Sequence, residues 1–501
     1  MGGFYNSSEA LHKILFMRRC PTKLPPFIQK GPPQKAGPEH DPMNEPTLNP
    51  RQNAVNRRRF LKSSSLAAGA VAALPIERFA HAQQDNTLKL ALVGCGGRGS
   101  GATIQAMNTG KDVKLVAMAD AFEDKLANKL SAIRKVHPNQ VDVPPSRQFV
   151  GKDAYKKAIA EADVCVLATP PGFRPIHFEE AIRQGKHVFF EKPVAVDAPG
   201  IRRVLAAAKE AKKKNLKVAV GLQRRHQPSY IEAIQRIHDG AIGDVVSMRS
   251  YWNGNPVGHK GTRQGLRDQW QREPTEMEYQ MRNWYQFVWL CGDHIVEQHI
   301  HNLDVINWVK GGYPVRAQGM GGREVRKGID DGEIFDHHFV EFEYADGSRN
   351  YSQCRHIRGA YTAVEEHVVG TKGKADFEQN RRMFNLTGPN AWRLRLQKRE
   401  DGHQMEHYPF WDAIRNNEAY NEAEYGAMST MTAILGRMCT YTGKKIEMAT
   451  ALASEVNTMP DDLKFDDASQ KWLGTPKSQP DENGQYPIPV PGDAKWFKKI
   501  V

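Results

Sequence analysis

Hydrophobic residues from position 88 onward are spaced in a way that predicts alternating strands and helices. Short apolar runs, each the length of a buried parallel strand, lie at 88–94, 113–119, 163–168, 187–190 and 217–221. Segments in which apolar residues recur every three or four positions predict helices at 100–108, 121–136, 175–185 and 198–214. This alternation predicts a parallel sheet with helices on both faces.

Beyond residue 221 the apolar residues follow a period of two, which is typical of antiparallel strands with one buried face. The clearest segments form two pairs, at 339–344 with 349–357 and at 364–369 with 375–377. Asp346-Gly347, between the members of the first pair, favours a tight hairpin turn. We therefore expect a second, α+β domain with a large, mainly antiparallel, open-faced sheet.

A glycine-rich turn follows the first predicted strand. Gly94, Gly96 and Gly99 form G-x-G-x-x-G between that strand and a helix, and Asp120 ends the next strand, 21 residues after Gly99. In a Rossmann dinucleotide-binding domain such glycines admit a pyrophosphate, and such an acid binds a ribose. The pattern favours NAD, with NADP possible because Lys125 could offset the charge of Asp120. The alternative is a glycine-rich surface loop.

Two later segments are expected at the edge of the same cofactor crevice, because they follow strands of the same sheet. One is Ala168-Thr169-Pro170-Pro171 and the other is Glu191-Lys192-Pro193. Lys192 there could take part in proton transfer, although its spacing alone favours an ordinary solvated lysine. The predicted cofactor-binding residues are therefore Gly94, Gly96, Gly97, Arg98, Gly99, Asp120, Thr169, Pro170, Glu191 and Lys192.

A second cluster of ionisable residues lies in the segment 292–304. If this segment is one helix, four of its side chains fall within an arc of about 80°: His294, Glu297, His301 and Asp304. Three interpretations remain open at this point: an acid/base face for catalysis, a solvated polar face, and a divalent-metal site made by His294, Glu297 and His301. We favour the catalytic face and predict no metal.

Three aromatic residues could form a stacking wall for a sugar ring, although core packing is their ordinary role: Trp252, Trp284 and Tyr285. The residues predicted to bind substrate are Arg225, Trp284, Tyr285, His294 and Asp304.

The region before residue 88 predicts a targeting signal. Arg57-Arg58-Arg59-Phe60-Leu61-Lys62, the apolar run 66–74 and Ala80-His81-Ala82 have the order of a twin-arginine signal with its cleavage site. We expect export to the periplasm; a basic amphipathic anchor is the alternative. The predicted regions are a disordered extension at 1–50, a signal at 51–82, a Rossmann domain at 87–220, an α+β domain at 221–450 and a C-terminal extension at 451–501.

Charge and composition exclude several partners. The net charge is +13, but residues 1–82, with 12 Lys and Arg against 5 Asp and Glu, account for +7 of it. The remainder is only mildly basic, which disfavours nucleic-acid binding. The chain has no apolar run as long as a membrane span, so we expect no stable membrane anchor.

Taken together, these motifs resemble the Gfo/Idh/MocA family, which includes glucose–fructose oxidoreductase and inositol dehydrogenase. The resemblance covers nearly all of 87–450 and includes Gly185–Pro193 and Tyr441-Thr-Gly-Lys444. It implies an NAD(P)-dependent oxidoreductase of a sugar, polyol or glycoside, and a homo-oligomer formed through the C-terminal sheet. It also implies that Lys192 contacts cofactor and substrate, and that His301 is the acid/base.

The family's D-x-x-x-H pair is here Glu297-x-x-x-His301, and we expect Glu297 to orient His301. Three other functions stay open: an NAD-dependent glycosidase, a non-catalytic sugar-binding protein and a metal-dependent lyase.

Overall fold

Six parallel strands form the first sheet of the computed structural model, which describes residues 87–501. Their bounds are β1 Leu88–Val93, β2 Val113–Asp120, β3 Gln148–Val150, β4 Val164–Leu167, β5 His187–Phe190 and β6 Val218–Val220. The helices among them are α1 Gly97–Met107, α2 Glu123–Val136, α3 Ala154–Ala160, α4 Arg174–Arg183 and α5 Ala198–Lys213. The predicted twin-arginine signal lies outside the described residues.

The strand order is β3-β2-β1-β4-β5-β6, so the direction of winding reverses between β1 and β4. Ligands of such sheets bind at this reversal, beyond the carboxyl ends of the strands. The predicted parallel Rossmann sheet is confirmed. The sequence pattern missed β3 and α3, because β3 has three half-buried residues and α3 only seven residues.

Successive residues of β1 pack on opposite faces of this sheet, as the pleat requires. Ala91 and Val93 belong to the core on one side, whereas Leu90 and Leu92 belong to the core on the other. The second face also receives helix α13, His407–Arg415, from far along the chain. Burial of its aromatic side chains is worth about 1.5–3 kcal/mol each. The first domain is therefore completed by a segment that follows β7–β14 of the second sheet in sequence.

Nine strands form the second sheet, in the order β14-β13-β12-β11-β7-β10-β9-β8-β15. Their bounds are β7 Val245–Gly254, β8 Arg316–Gly322, β9 His337–Glu343, β10 Arg349–His356, β11 Ala363–Gly370, β12 Lys374–Glu378, β13 Met383–Thr387, β14 Trp392–Arg395 and β15 Ile446–Glu447. β7 is parallel to β10, and the other adjacent pairs with a described register are antiparallel. The two predicted strand pairs are present, with Gly347 at φ +81° in the turn of the first.

One face of this sheet packs on helices and the other remains half-exposed. Along β9, His338, Val340 and Phe342 are buried, while the alternate residues are only partly covered. The helices outside the first domain are α6 Pro228–His238, α7 Arg263–Trp270, α8 Glu276–Arg282, α9 Val288–Cys291, α10 His294–Glu297, α11 Ile300–Lys310, α12 Gly402–Met405, α13 His407–Arg415, α14 Ala423–Thr442, α15 Met448–Ala453 and α16 Ala494–Ile500. The predicted open-faced sheet is confirmed.

The C-terminal residues return to the first domain. A two-stranded sheet, β16 Lys464–Asp466 with β17 Lys471–Leu473, places Trp472 in a buried aromatic cluster. The Trp472 indole Nε1 donates to Ala121 O at 2.9 Å, directly after β2. Within residues 87–501, no helix has both the length and the apolar character that a membrane crossing requires.

Candidate active site

The glycine turn after β1 leaves room where a cofactor phosphate would lie. Gly94 has φ +97°, and a Cβ there would lie 2.5 Å from Thr169 N. A Cβ on Gly99 would lie 2.1 Å from Gly94 O, whereas a Cβ on Gly96 or Gly97 would meet nothing within 4 Å. Gly96 precedes α1 without any side-chain cap, so the first N–H groups of the helix stay available. The turn therefore fits a dinucleotide pyrophosphate.

Asp120 connects the end of β2 to this turn. Its Oδ2 accepts from Cys95 N at 2.6 Å, and its Oδ1 accepts from Phe122 N at 3.0 Å. Burial raises the pKa of this carboxyl, and the two backbone hydrogen bonds oppose that rise. Because an ionised carboxylate accepts about four hydrogen bonds, Asp120 can also accept from the hydroxyls of a ribose.

An ion pair joins the glycine turn to the strand end that carries the lysine. Arg98 Nε lies 3.0 Å from Glu191 Oε1, and Glu191 is 1% exposed. On the neighbouring strand end, Thr169 Oγ1 lies 3.1 Å from His177 Nδ1. The predicted cofactor residues after β1, β4 and β5 thus lie along one edge of the sheet.

Lys192 and Glu297 bind each other across the two domains. Lys192 Nζ donates to the Glu297 main-chain oxygen at 2.5 Å and lies 3.2 Å from Glu297 Oε1. Both side chains are largely buried. The expectation that Glu297 orients His301 was wrong: among the described residues its carboxylate bonds Lys192, and its Oε2 has no hydrogen-bond partner. Glu297 therefore positions the lysine.

The segment 292–304 is not one helix, so the predicted single face was wrong. Helix α10 ends at Glu297 and α11 begins at Ile300. His299 N donates to His294 O, five residues back rather than four. Such a π-type turn inserts one residue and rotates the next helix by about 100°. The side chains before and after it consequently point to different neighbours.

We predicted that Arg225 and Asp304 bind substrate. In the structure their side chains form an ion pair with each other. Arg225 Nε lies 2.9 Å from Asp304 Oδ2, and its Nη2 lies 2.8 Å from Oδ1. Ser429 Oγ donates to the same carboxylate at 2.7 Å, and the guanidinium lies 4.1 Å from the centre of the Tyr425 ring. Asp304 is 1% exposed. This ion pair holds α11 against the neighbouring elements. Arg225 and Asp304 are therefore not assigned to substrate binding.

His294 also leaves the predicted face. Its Nδ1 lies 2.7 Å from Asp293 Oδ1, in a fully buried cluster with His338. Among the described residues, potential ligand atoms do not converge from His294, Glu297 and His301, so the metal site considered from the sequence was wrong.

His301 lies close enough to Lys192 to feel its charge. It is 6% exposed and its ring stacks on Trp252, with 5.9 Å between ring centres. Burial, followed by the charges of Lys192 and Arg224, holds the pKa of His301 well below its ordinary value. The imidazole is therefore neutral near pH 7 and can accept a proton.

Tyr285 supplies a buried hydroxyl near Glu297. It is 1% exposed and packs edge-on against Trp284, with 5.4 Å between the ring centres. Burial and the charge of Glu297 raise the pKa of the Tyr285 hydroxyl. Within the described chain, three buried polar atoms of this region have no hydrogen-bond partner: Tyr285 OH, Glu297 Oε2 and His301 Nδ1. Buried polar atoms of this kind call for a partner, and a polyhydroxylated ligand could supply it.

The sequence analysis missed Arg224. It is 2% exposed, ion-paired with Glu366, and lies 6.0 Å from the centre of the Trp252 ring. Its position four residues after β6, beyond the carboxyl edge of the first sheet, was the available signal.

Comparison with known proteins agrees with this geometry. Residues 88–221 match the GFO_IDH_MocA model, described as an oxidoreductase family with an NAD-binding Rossmann fold. Over these residues the chain is similar to the Gfo/Idh/MocA oxidoreductase family. The match identifies an NAD-binding Rossmann domain of an oxidoreductase.

Curated relatives of this oxidoreductase include inositol 2-dehydrogenases. That of Rhizobium meliloti (strain 1021) is 26% identical over 300 residues, which cover 59% of this chain and 77% of the relative. That of Ralstonia nicotianae (strain ATCC BAA-1114 / GMI1000) is 28% identical over 270 residues, 52% of this chain and 66% of the relative.

Solved structures share the fold. Levoglucosan dehydrogenase with NADH and levoglucosan superposes with a TM-score of 0.57 at 15% identity, covering 72% of this chain and 99% of that one. Scyllo-inositol dehydrogenase from Lactobacillus casei with NAD(H) and scyllo-inositol gives 0.53 at 22% identity with the same coverage.

Proposed function

We propose that this oxidoreductase oxidises a hydroxyl group of a sugar, polyol or glycoside, with Lys192 and His301 as its acid/base groups. The observation that carries the proposal is the contact between Lys192, at the cofactor edge of the first sheet, and Glu297, four residues before His301. This contact supports a site in which the oxygen to be oxidised lies between the cofactor domain and the second domain.

The substrate class is supported by the relatives and by the site. Inositol 2-dehydrogenases and levoglucosan dehydrogenase are named for cyclic polyhydroxylated compounds. The flat ring of Trp252 beside His301 suits the face of such a ring, and the partnerless Tyr285 hydroxyl suits one of its hydroxyl groups. We therefore keep Trp284 and Tyr285 as substrate-binding candidates.

In the proposed mechanism the neutral His301 imidazole removes the hydroxyl proton. The Lys192 ammonium, held by Glu297, stabilises the negative charge that develops on the oxygen. NAD, held by the glycine turn and Asp120, would supply the redox chemistry by accepting a hydride from the carbon. Burial of both side chains excludes water from the proton transfer.

Turnover with a panel of cyclic polyols and sugars tests the proposal. Purified protein with NAD should form NADH with at least one of inositol, levoglucosan or glucose. Lys186→Ala, on a partly exposed lysine of the same domain, should match the wild type, whereas Lys192→Ala should not. Absence of NADH formation with every substrate, from protein that binds NAD, would contradict the proposal.

We also propose that export and assembly follow the sequence signals. Replacement of Arg57, Arg58 and Arg59 by Lys should keep the protein in the cytoplasm, and periplasmic delivery of that variant would refute the twin-arginine route.

The half-exposed face of the nine-stranded sheet is the proposed surface between subunits. Light scattering of the purified protein should give a mass above 56.4 kDa.

A further inference from the structure

A second group of buried ionisable side chains takes no part in the proposed reaction. Asp293 and His294 are 0% exposed, and His338, on β9, is 3% exposed. One ligand atom from each of the three, a carboxylate oxygen or an imidazole nitrogen, lies within 4.8 Å of the other two. The group is separate from the contact between Lys192 and Glu297.

The hydrogen bonds around His338 determine which of its nitrogens carries a proton. Nδ1 lies 2.9 Å from Thr440 Oγ1, and that hydroxyl donates its own proton to Arg437 O at 3.1 Å. Thr440 Oγ1 must therefore accept from Nδ1–H, which leaves the lone pair of a neutral ring on Nε2. Nε2 lies 3.3 Å from Asp293 Oδ1, yet not in line for a hydrogen bond, and it has no hydrogen-bond partner among residues 87–501.

The carboxylate of Asp293 is fixed from its other side. Its Oδ2 accepts from Tyr441 OH at 2.5 Å and from Phe335 N at 2.9 Å. Its Oδ1 faces two imidazole nitrogens, since His294 Nδ1 lies 2.7 Å from it. One of those nitrogens, His338 Nε2, presents a lone pair to the region of an anionic oxygen. The lone pair and the anionic oxygen repel each other, and a bound cation between them would remove this repulsion.

We propose that Asp293, His294 and His338 bind a divalent transition-metal ion of the zinc type. Two imidazoles and one carboxylate are donors that Zn²⁺ accepts. The surrounding hydrogen bonds are also those of a metal site: Thr440 holds the far nitrogen of one histidine, and Tyr441 with Phe335 holds the carboxylate. Three protein ligands leave a fourth position for water.

The position of this site indicates what the ion would do. The ligands join the residues just before Glu297 to strand β9, and Tyr441 adds helix α14. A buried ion there would stabilise the second domain and the start of the segment that carries Glu297 and His301. This proposal does not depend on the proposed function.

Metal content is the first test. Protein expressed in zinc-supplemented medium and purified without chelators should hold about one ion per chain by mass spectrometry, as a structural zinc site does. His338→Gln should reduce that content at least tenfold. His337→Gln, the next residue on the same strand with a half-exposed side chain, is the matched control and should keep the ion.

Two further measurements keep the proposal testable if His338→Gln does not fold. Thr440→Val preserves the side-chain shape but removes the acceptor for Nδ1, and it should weaken metal affinity roughly tenfold or more. In the wild type, a chelator should lower the melting temperature by several degrees, and Zn²⁺ but not Mg²⁺ should restore it. The proposal would be overturned if the wild-type protein is purified without metal and Zn²⁺ does not change its melting temperature. Asp293, His294 and His338 would then be a cluster joined by shared protons.

Discussion

The glycine turn at 94–99 and the segment 292–304 both line the proposed active site, but they are built differently. In the glycine turn the backbone forms the site: Gly94 takes a left-handed conformation, and Gly96 and Gly97 keep their surroundings open. In the segment 292–304 the side chains form the site, and most of the polar side chains are buried.

This difference separates what local sequence encodes from what the tertiary structure adds. A site made of backbone depends on residues next to one another in the chain. A site made of side chains depends on which distant groups meet them: Asp304 meets Arg225, and Glu297 meets Lys192. Four predictions test this contrast, from the largest expected effect to the smallest.

Loss of an acid/base side chain should have the largest effect. Lys192→Ala and His301→Ala should each lower kcat by about a hundredfold or more, the usual worth of a positioned acid or base. NAD affinity should change little in His301→Ala, because that residue lies outside the glycine turn. His259→Ala, on an exposed histidine paired with Asp331, is the control and should retain wild-type kcat. Near-full activity of either active-site variant would falsify its assigned role.

Alanine in the glycine turn should separate folding from cofactor binding. Gly99→Ala places a Cβ 2.1 Å from Gly94 O, so it should lower the free energy of unfolding by about 1–3 kcal/mol and abolish NAD binding. Gly96→Ala meets no protein atom within 4 Å, and it should keep its stability while NAD affinity falls. Calorimetry with and without NAD measures both quantities. Equal stability of the two variants would contradict the backbone-built site.

Stability should fall as the pH drops below about 6.5, because buried histidines stay neutral in the folded chain. Burial, aided by nearby positive charge, lowers the pKa of His177 to about 3 and that of His299 to about 3. The unfolded chain binds protons near pH 6.5 and the folded chain does not, so each group removes about 1.4 kcal/mol per pH unit below that point.

Urea unfolding at pH 7.5, 6 and 5 measures this slope. His177→Phe should flatten it, whereas His259→Ala should leave it unchanged. A free energy of unfolding that is constant over this range would refute the neutral state of these histidines.

Cofactor preference should show the smallest effect. Asp120→Ala removes the carboxylate that would repel a 2′-phosphate, so the ratio of NAD to NADP affinity should fall several-fold. The same change removes the acceptor for Cys95 N and Phe122 N, and a small loss of stability should accompany it. Lys114→Ala, on the same strand, is the control. An unchanged affinity ratio would contradict the contact between Asp120 and the ribose.

The sequence predicted the first sheet well because its strands are short, apolar and followed by their own helices. It predicted the hairpin at Asp346-Gly347 for a similarly local reason. It could not predict the π-type hydrogen bond from His299 to His294, because the bond depends on the packing around it; His299 Nε2, for example, lies 2.7 Å from Ser352 Oγ. The single-face interpretation failed at this residue, and with it the grouping of His294 and Asp304 with His301.

The return of helix α13 to the first sheet constrains how proteins of this architecture can be recombined. His407 stacks on Phe189 of β5 at 4.2 Å, and Phe410 and Trp411 fill the same core. An exchange of residues 88–221 alone would set a foreign strand surface against these rings and expose or misfit about three aromatic side chains. A chimera that folds must therefore take residues 88–221 and helix α13 from the same parent protein.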